Sequence, residues 1–109
     1  MHELSIAESI VEAVQARTHE DQVRVVRVRI GKLAAVVPDA LEFCFELAAC
    51  GTPLEGARLE IAERPGRAHC RSCDQEFALP DLVLLCSCGS ADLEILAGRE
   101  LQVASVEVA

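Results

Sequence analysis

The chain contains two close cysteine pairs, in Cys70-Arg71-Ser72-Cys73 and Cys86-Ser87-Cys88-Gly89, separated by residues 74–85. Two close cysteine pairs on two turns, joined by a short loop, supply the four thiolates of a tetrahedral metal site. Such a site has no open position, so the spacing predicts a structural metal, for which zinc is the default. The second pair is C-x-C, so its turn must be one residue shorter than the first.

The other cysteines and one histidine are weaker candidates. His69 directly precedes Cys70 and could be an extra zinc ligand, but a flanking histidine that binds no metal is the interpretation that we favour. A thioredoxin-like redox pair at Cys70 and Cys73 is the competing hypothesis, yet such a pair belongs beside a βαβ pattern, and none is seen. Cys44 is predicted to be a packed thiol, and Cys50 has no assigned partner.

Composition excludes several classes of function. Hydrophobic residues make up 51% of the 109-residue chain, enough for one core, with only 3% aromatics. No apolar run approaches the roughly 20 residues of a membrane span, and the start of the chain shows no signal-peptide core, so we expect a cytoplasmic protein with no membrane partner. In a reducing cytosol, six cysteines favour metal ligands over disulfides. A net charge of −8 disfavours nucleic acid.

Periodicity predicts the elements around the cysteines. Apolar spacing predicts a helix over about 4–18, with Ser5 and Glu8 as a capping box and a start near Ile6. A second helix is predicted from Pro38 to about Ala49. Strands are predicted over 23–30, 57–61, 76–79, 93–95 and 100–108. The order is helix, strand, helix, strand, cysteine insert, strand, which is an α+β chain.

The insert over residues 67–91 is too small to fold by itself. Ordering about 20 residues costs roughly 1–2 kcal/mol each for the backbone. A structural zinc site contributes about 10–16 kcal/mol at neutral pH. We therefore expect the insert to fold only with metal bound.

The stretch Met1-His2-Glu3 has metal-binding chemistry of a different kind. The His2 imidazole, its own amide and the Met1 amine can close chelate rings around one metal, and Glu3 can add its amide or carboxylate. This nitrogen-rich, near-planar set suits Ni(II) or Cu(II) better than Mg²⁺ or Ca²⁺. Its affinity should fall in acid, because the amide and the imidazole must lose protons. On spacing alone the signal is weak, since most histidines at a second position bind nothing in particular.

The chain resembles the HypA/HybF family of hydrogenase nickel-incorporation proteins over essentially its whole length. The segments that carry the resemblance are Met1-His2-Glu3-Leu4-Ser5-Ile6-Ala7-Glu8, Val26-Arg27-Val28-Arg29-Ile30-Gly31-Lys32-Leu33, Pro38-Asp39-Ala40-Leu41-Glu42-Phe43-Cys44-Phe45-Glu46, Gly51-Thr52, Pro65-Gly66-Arg67-Ala68-His69-Cys70, Cys88-Gly89-Ser90 and Gly98-Arg99-Glu100-Leu101-Gln102-Val103. The N-terminal motif and the cysteine site together, in a chain this short, are specific.

The resemblance implies a fold and a function. Two helices pack on a small, mostly three-stranded sheet, with a zinc-ribbon-like subdomain inserted before the last strand. On this sequence the nickel-binding α/β domain covers 1–66 and 92–109, and the inserted zinc-binding domain covers 67–91. Such proteins are nickel metallochaperones without catalysis of their own, which deliver Ni(II) as transient cargo for maturation of [NiFe]-hydrogenase.

The resemblance also implies residues and partners. His2 matches the principal nickel ligand, with Met1 and Glu3 at the same site. A structural Zn(II), which can also sense nickel and pH, would be held by Cys70, Cys73, Cys86 and Cys88. The implied partners are the nickel-handling GTPase HypB and the hydrogenase large subunit; urease maturation proteins and a second copy of the chain are further candidates.

The second cysteine pair departs from the family. The usual pattern is C-P-x-C-G-S, whereas here Cys86-Ser87-Cys88-Gly89-Ser90 places Leu85 where the first cysteine normally stands. We assign Cys86 as a ligand, because a C-x-C pair can hold one metal if its turn changes. The altered turn would loosen the site or admit His69. Two alternative functions stay open: a zinc-ribbon interaction module without nickel delivery, and a thiol oxidoreductase.

Overall fold

The computed structural model describes residues 2–109 and forms two compact units. We call the first the helical unit; of the described residues it holds 2–29, together with Val36–Ala62 and Gln102–Ala109. The second, the cysteine unit, holds Ile30–Ala35 and Glu63–Leu101. Among the described residues, no helix has the length and apolar character needed to cross a membrane.

Two helices and six strands make up these units. In chain order they are α1 (Glu3–Thr18), β1 (Val23–Gly31), a 3-10 turn (Lys32–Ala34), α2 (Pro38–Ala49), β2 (Arg58–Arg64), β3 (Gly66–Cys70), β4 (Glu76–Leu79), β5 (Leu93–Ala97) and β6 (Leu101–Val108). One sheet has the order β2-β1-β6, and the other has the order β4-β3-β5. The predicted α+β class, with two helices and a three-stranded sheet, is confirmed.

The helices form where apolar residues recur at helical spacing. In α1 the buried residues are Ala7, Ile10, Val11 and Val14, and in α2 they are Leu41, Phe45 and Ala49. The α2 stripe is rotated slightly from a position that would bury Cys44, which is half-buried. The strand β1 lies between β2 and β6 in the sheet, and its valines and Ile30 are buried, whereas Arg24 and Arg29 are exposed.

The start of α1 differs from the prediction. The helix begins at Glu3 with His2 as its N-cap, and no side chain caps it. The Ile6 N–H donates to the His2 carbonyl at 3.1 Å, which places Ser5 inside the first turn, where it cannot act as an N-cap. The predicted capping box at Ser5 and Glu8 was therefore wrong, and His2 lies directly at the helix terminus.

The cysteine unit is wider than the insert predicted over 67–91. The chain before the first cysteine forms β3, which pairs antiparallel with β4, from Gly66 opposite Leu79 to His69 opposite Glu76. The strand β3 also pairs antiparallel with β5, with Cys70 opposite Leu93. Residues 93–97, predicted to belong with the α/β domain, lie instead in the sheet that carries the cysteines. Hydrogen bonding across β3 extends the compact unit to residues 63–101.

Three glycines in the cysteine unit allow a close backbone approach. The Gly31 N–H donates to the Glu100 carbonyl, and the Leu33 N–H donates to the Gly98 carbonyl, both at 2.8 Å. A Cβ on Gly31 would lie 1.9 Å from the Gly98 oxygen, and a Cβ on Gly98 would lie 2.6 Å from the Gly66 Cα. The neighbours are backbone atoms, so no side-chain rotation can relieve the clash.

We expect Gly31→Ala to destabilise the fold by about 3 kcal/mol, because the backbone must move to admit the new methyl group. Gly56→Ala is the control: its φ is +82° and nothing lies within 4 Å of the added Cβ, so strain alone should cost about 1 kcal/mol. Urea denaturation of the zinc-loaded variants measures both. Equal midpoints for the two variants would show that the close approach is absent.

Candidate metal centre

The side chains of Cys70, Cys73, Cys86 and Cys88 come together in the cysteine unit. Their sulfur atoms all lie within 4.8 Å of one another. Cys70 and Cys86 are buried, whereas Cys73 and Cys88 are exposed. The structure thus brings together all four cysteines that the sequence singled out, including Cys86 of the shortened pair.

The sulfur spacing fits a tetrahedral zinc ion. The Sγ atoms of Cys70 and Cys88 are 3.7 Å apart, and so are those of Cys73 and Cys86. With Zn–S bonds of about 2.3 Å, the edges of a regular tetrahedron are about 3.8 Å long. Each of these short distances joins one turn to the other, so a single ion at the centre would tie the two turns together.

The two cysteine turns are built alike, with the second one residue shorter. In the first turn the Asp74 N–H donates to the Cys70 carbonyl at 2.8 Å. In the second turn the Gly89 N–H donates to the Cys86 carbonyl at 2.9 Å. Each donor follows the second cysteine of its pair and has a left-handed φ, +62° at Asp74 and +92° at Gly89. The C-x-C spacing is therefore accommodated by a tighter hydrogen-bonded loop.

Backbone N–H groups of the first turn point at the Cys70 sulfur. Hydrogen bonds from the Cys73 N–H and, secondly, the Ser72 N–H lower the pKa of Cys70 to about 6, although burial opposes the shift. Donors of this kind stabilise the thiolate, which is the form that binds metal. The N–H groups of this turn are thus already oriented to stabilise the Cys70 thiolate that a cation would bind.

The pKa values of the exposed thiols, Cys73 and Cys88, are shifted in the opposite direction. For Cys73, the Gln75 N–H favours the thiolate, but burial and the neighbouring thiols outweigh it and raise the pKa to about 12. For Cys88, the hydrogen bond from the Ser90 N–H lowers the pKa. The Cys86 thiol, burial and the Cys70 thiol together outweigh that effect, so the pKa of Cys88 is raised. Like charges held this close disfavour each other. A divalent cation at the centre would supply the opposite charge.

Polar contacts outside the cysteines join the two turns. The hydroxyls of Ser72 and Ser90 lie 2.8 Å apart, one on each turn. The Arg71 guanidinium donates to Asp92 at 3.0 Å, and the Arg71 backbone N–H donates to the Asp92 carbonyl, also at 3.0 Å. These contacts were not predicted from the sequence, because no spacing rule identifies pairs eighteen or more residues apart.

His69 takes no part in the sulfur cluster. Its Nε2 lies 3.3 Å from Asp74 Oδ1, and the four-cysteine group does not include it. The strand β3 places His69 opposite Glu76 and Glu94 of the neighbouring strands. The geometry agrees with the interpretation of His69 as a flanking histidine.

The N-terminal motif lies in the helical unit. Met1 falls outside the described residues, and His2 is exposed at the N-cap of α1. The Glu3 carboxylate accepts a hydrogen bond from the Val37 N–H at 3.2 Å, where α2 begins. Within residues 2–109, neither His2 nor Glu3 joins a cluster of three metal-ligating side chains. The structure does not test a nickel site that also uses Met1.

The contact of Glu3 with α2 was not predicted, and it lowers the pKa of Glu3. The main cause is the hydrogen bond from the Val37 N–H, followed by one from the backbone N–H of Glu3 itself. A depressed carboxyl pKa means that the stabilisation is present above the ordinary value of 4.5 and is lost as pH falls through the lower, folded-state pKa.

We therefore expect the Val37 amide proton signal to titrate with a midpoint below 4.5, as Glu3 takes up its proton. Glu3→Gln should abolish this titration, because an amide oxygen does not ionise. Glu12→Gln, a change at an exposed residue of the same helix, should leave it unchanged. Two-dimensional NMR across the acid range measures the signal. A Val37 signal that titrates equally in Glu3→Gln would place another group at this contact.

The fold and the sulfur cluster define a metal-binding protein with a zinc-ribbon-like unit. A family profile described as "Hydrogenase/urease nickel incorporation, metallochaperone, hypA" matches residues 1–108. The chain belongs to this family, the HypA nickel-incorporation metallochaperones. The family predicted from the sequence is thereby confirmed.

Curated relatives match the chain over nearly its full length. The hydrogenase maturation factor HypA of Trichormus variabilis is 48% identical over 99% of this chain and 96% of its own. The factors of the same name from Streptomyces avermitilis and Geobacter metallireducens are 46% and 44% identical, over 97% and 99% of this chain and 86% and 99% of their own.

A solved structure shares the fold. The solution structure of the Ni metallochaperone HypA from Helicobacter pylori superposes with a TM-score of 0.69 at 24% identity, covering 99% of this chain and 97% of that one. At this identity the likeness concerns the fold alone. It supports the arrangement of two helices and two small sheets described above.

Proposed function

We propose that this chain binds Ni(II) at Met1, His2 and Glu3 and delivers it for maturation of [NiFe]-hydrogenase. Zn(II) at Cys70, Cys73, Cys86 and Cys88 is structural and stays bound while nickel is exchanged. The chain catalyses no reaction of its own; its task is to hold a cation and release it to a recipient. Family membership and the 48% identity to a hydrogenase maturation factor support this role.

The observation that carries the nickel proposal is the position of His2. It is exposed at the N-cap of α1, so its imidazole and amide are open to a metal. The first N–H groups of a helix have no partners within the helix, and their nitrogens are therefore not committed to backbone hydrogen bonds. Imidazole and amide nitrogens suit Ni(II).

Glu3 contributes to the same site in a different way. Its carboxylate already accepts hydrogen bonds from the Val37 N–H and from its own N–H. The carboxylate therefore holds the start of α1 beside the start of α2. Nickel binding at the Glu3 nitrogen would replace the proton that this N–H donates to the carboxylate. Fixing the chain on one side of His2 reduces the ordering needed when the metal binds.

The zinc proposal is supported by the donor set. Four sulfur atoms at tetrahedral spacing, with backbone N–H groups directed at them, match a closed structural zinc site. The second candidate function, a zinc-ribbon interaction module without nickel delivery, shares this site. Nickel binding at His2 separates the two hypotheses.

Titration of Ni(II) into the zinc-loaded chain tests the proposal. We expect one nickel to bind per chain with zinc retained, and the nickel affinity to fall as pH is lowered, because the nitrogen ligands are protonated. Zinc is measured by elemental analysis after each addition. Nickel uptake that occurs only as zinc leaves would contradict separate sites, and no nickel uptake would favour the interaction module.

The cellular setting follows from the same proposal. We place the protein in the cytoplasm, where hydrogenase maturation partners would meet it. The nickel-handling GTPase HypB would act before or with it, and the hydrogenase large subunit would receive the metal. Urease maturation proteins and a second copy of the chain are further proposed partners.

A further inference from the structure

The solvent face of α2 presents two large apolar side chains. Phe43 and Leu47 are 62% and 53% exposed, one helical turn apart. At 100° per residue, they lie on the side of α2 opposite the buried Leu41 and Phe45. Single exposed apolar residues are ordinary, but a phenylalanine and a leucine aligned on one helix are the anchors used in helix-to-helix recognition.

The apolar pair has an acidic margin. Asp39, Glu42 and Glu46 are exposed on α2, and the helix contains no Lys, Arg or His. Of the ion pairs in the described part of the chain, none involves these three carboxylates. They fall on the same flank of Phe43 and Leu47, within about one quarter of the helix circumference.

A small cleft lies beside that flank. Its volume is about 240 Å³, between α2 and the residues around the start of β2, and Glu42 and Glu46 line it. Phe45 and Leu59 also line it, as does Arg58, which is already paired with Glu60 at 2.7 Å. The apolar walls of this cleft could contact the methylene groups of a lysine or arginine side chain, and its two unpaired carboxylates could accept hydrogen bonds from the charged group.

We infer that the solvent face of α2 is a docking surface for a basic amphipathic helix of a partner protein. The apolar side of the partner helix covers Phe43 and Leu47, and its cations meet Asp39, Glu42 and Glu46. A second copy of the chain does not fit, because its own α2 would bring three more carboxylates to the same place. Anionic membranes and nucleic acids are excluded by the same repulsion.

The docking surface starts beside the N-terminal motif. Val37 directly precedes α2, is 56% exposed, and donates its N–H to the Glu3 carboxylate. A helix docked along α2 would therefore bring its protein to the place where nickel is held. This last step alone rests on the proposed function; the docking surface itself does not depend on nickel.

Binding of a labelled synthetic peptide tests the inference. The probe is a leucine–lysine amphipathic peptide of about 18 residues, long enough to hold a helix, and its leucine–glutamate counterpart is the control. We expect the lysine peptide to bind the full chain, more weakly at high salt, and the glutamate peptide not to bind. Phe43→Ser/Leu47→Ser and, separately, Glu42→Gln/Glu46→Gln should each weaken binding about tenfold or more.

A matched control variant makes the test specific. Leu82→Ser/Leu84→Ser removes two leucines of the cysteine unit that are 58% and 42% exposed, and it should leave peptide binding unchanged. The inference is overturned if the wild-type chain does not bind the lysine peptide, if the α2 variants bind as well as wild type, or if the control variant loses as much affinity.

Nickel titration of the same variants separates this inference from the nickel proposal. Phe43→Ser/Leu47→Ser should bind Ni(II) as wild type does, because both side chains lie on the solvent face of α2. If the α2 variants lose peptide binding but the wild-type chain binds no nickel, the nickel proposal is contradicted and the docking surface is supported. If nickel binds normally but the α2 variants bind the peptide as wild type does, the nickel proposal is supported and the docking surface is contradicted.

Discussion

Cys86→Ser should abolish zinc binding and unfold the cysteine unit. Its thiol is buried, 3.7 Å from the Cys73 sulfur, and it belongs to the four-sulfur cluster. A structural zinc site contributes about 10–16 kcal/mol. This is at least comparable to the whole free energy of unfolding of a small domain, about 5–15 kcal/mol. A serine hydroxyl is a far poorer ligand than a thiolate, so most of that contribution is lost.

The control for this variant is Cys50→Ser. Cys50 is exposed at the end of α2, and its Sγ donates only to the Glu46 carbonyl, at 3.3 Å. Zinc per chain should stay near one in Cys50→Ser and fall to near zero in Cys86→Ser, with loss of the amide signals of β3, β4 and β5. Full zinc content in Cys86→Ser would show that Cys86 is not a required zinc ligand, and His69 would again be a candidate for the fourth ligand.

His2→Ala should weaken Ni(II) binding about 100-fold or more. Loss of a group that only supports a metal ligand typically costs 10–100-fold in affinity, and loss of the imidazole ligand itself should cost at least the upper end of that range. The chelate also loses a ring, so the remaining nitrogens hold the metal less tightly. The fold should be unaffected, because His2 is exposed and its side chain caps nothing.

His19→Ala is the matched control. His19 is exposed just after the other end of α1, so the change removes an imidazole of similar accessibility from the same helix. Isothermal titration calorimetry on zinc-loaded protein compares the three chains. We expect His19→Ala to bind as wild type; equal affinity of wild type and His2→Ala would show that the cargo site lies elsewhere.

Much of the fold could be predicted because its signals are local. Apolar spacing placed both helices to within a few residues, and Pro38 marked the start of the second. The four cysteines were identified from spacing alone, since a tetrahedral thiolate site needs two short turns. What spacing could not show is that the C-x-C turn keeps the hydrogen-bonding scheme of the first turn, one residue shorter.

The two errors in the strands share a physical cause, which is pairing between residues far apart in sequence, whereas the error at the start of α1 is local. No strand was predicted over residues 66–70, yet β3 forms there, because two antiparallel neighbours hold it extended. Pairing with β3 likewise moves Leu93–Ala97 into the cysteine unit. The start of α1 was placed too late because Ser5 and Glu8 imitate a capping box.

The Glu3 contact was the most consequential omission at the candidate site. A carboxylate that accepts the Val37 N–H could not be inferred from the sequence, because the two residues are thirty-four positions apart. The sequence left open whether Glu3 would bind nickel through its amide or its carboxylate; the contact favours a carboxylate that positions the motif and an amide nitrogen as the ligand.

We propose that cargo and structural metal use separate ligand sets, nitrogen-rich at His2 and sulfur-only at the four cysteines. X-ray absorption at the nickel edge of the zinc-loaded chain with one nickel bound distinguishes these sets. We expect a nickel shell of nitrogen and oxygen donors with the outer scattering of an imidazole, and no sulfur. A nickel shell that contains sulfur at bonding distance would contradict the proposal, because nickel would then share the cysteine site.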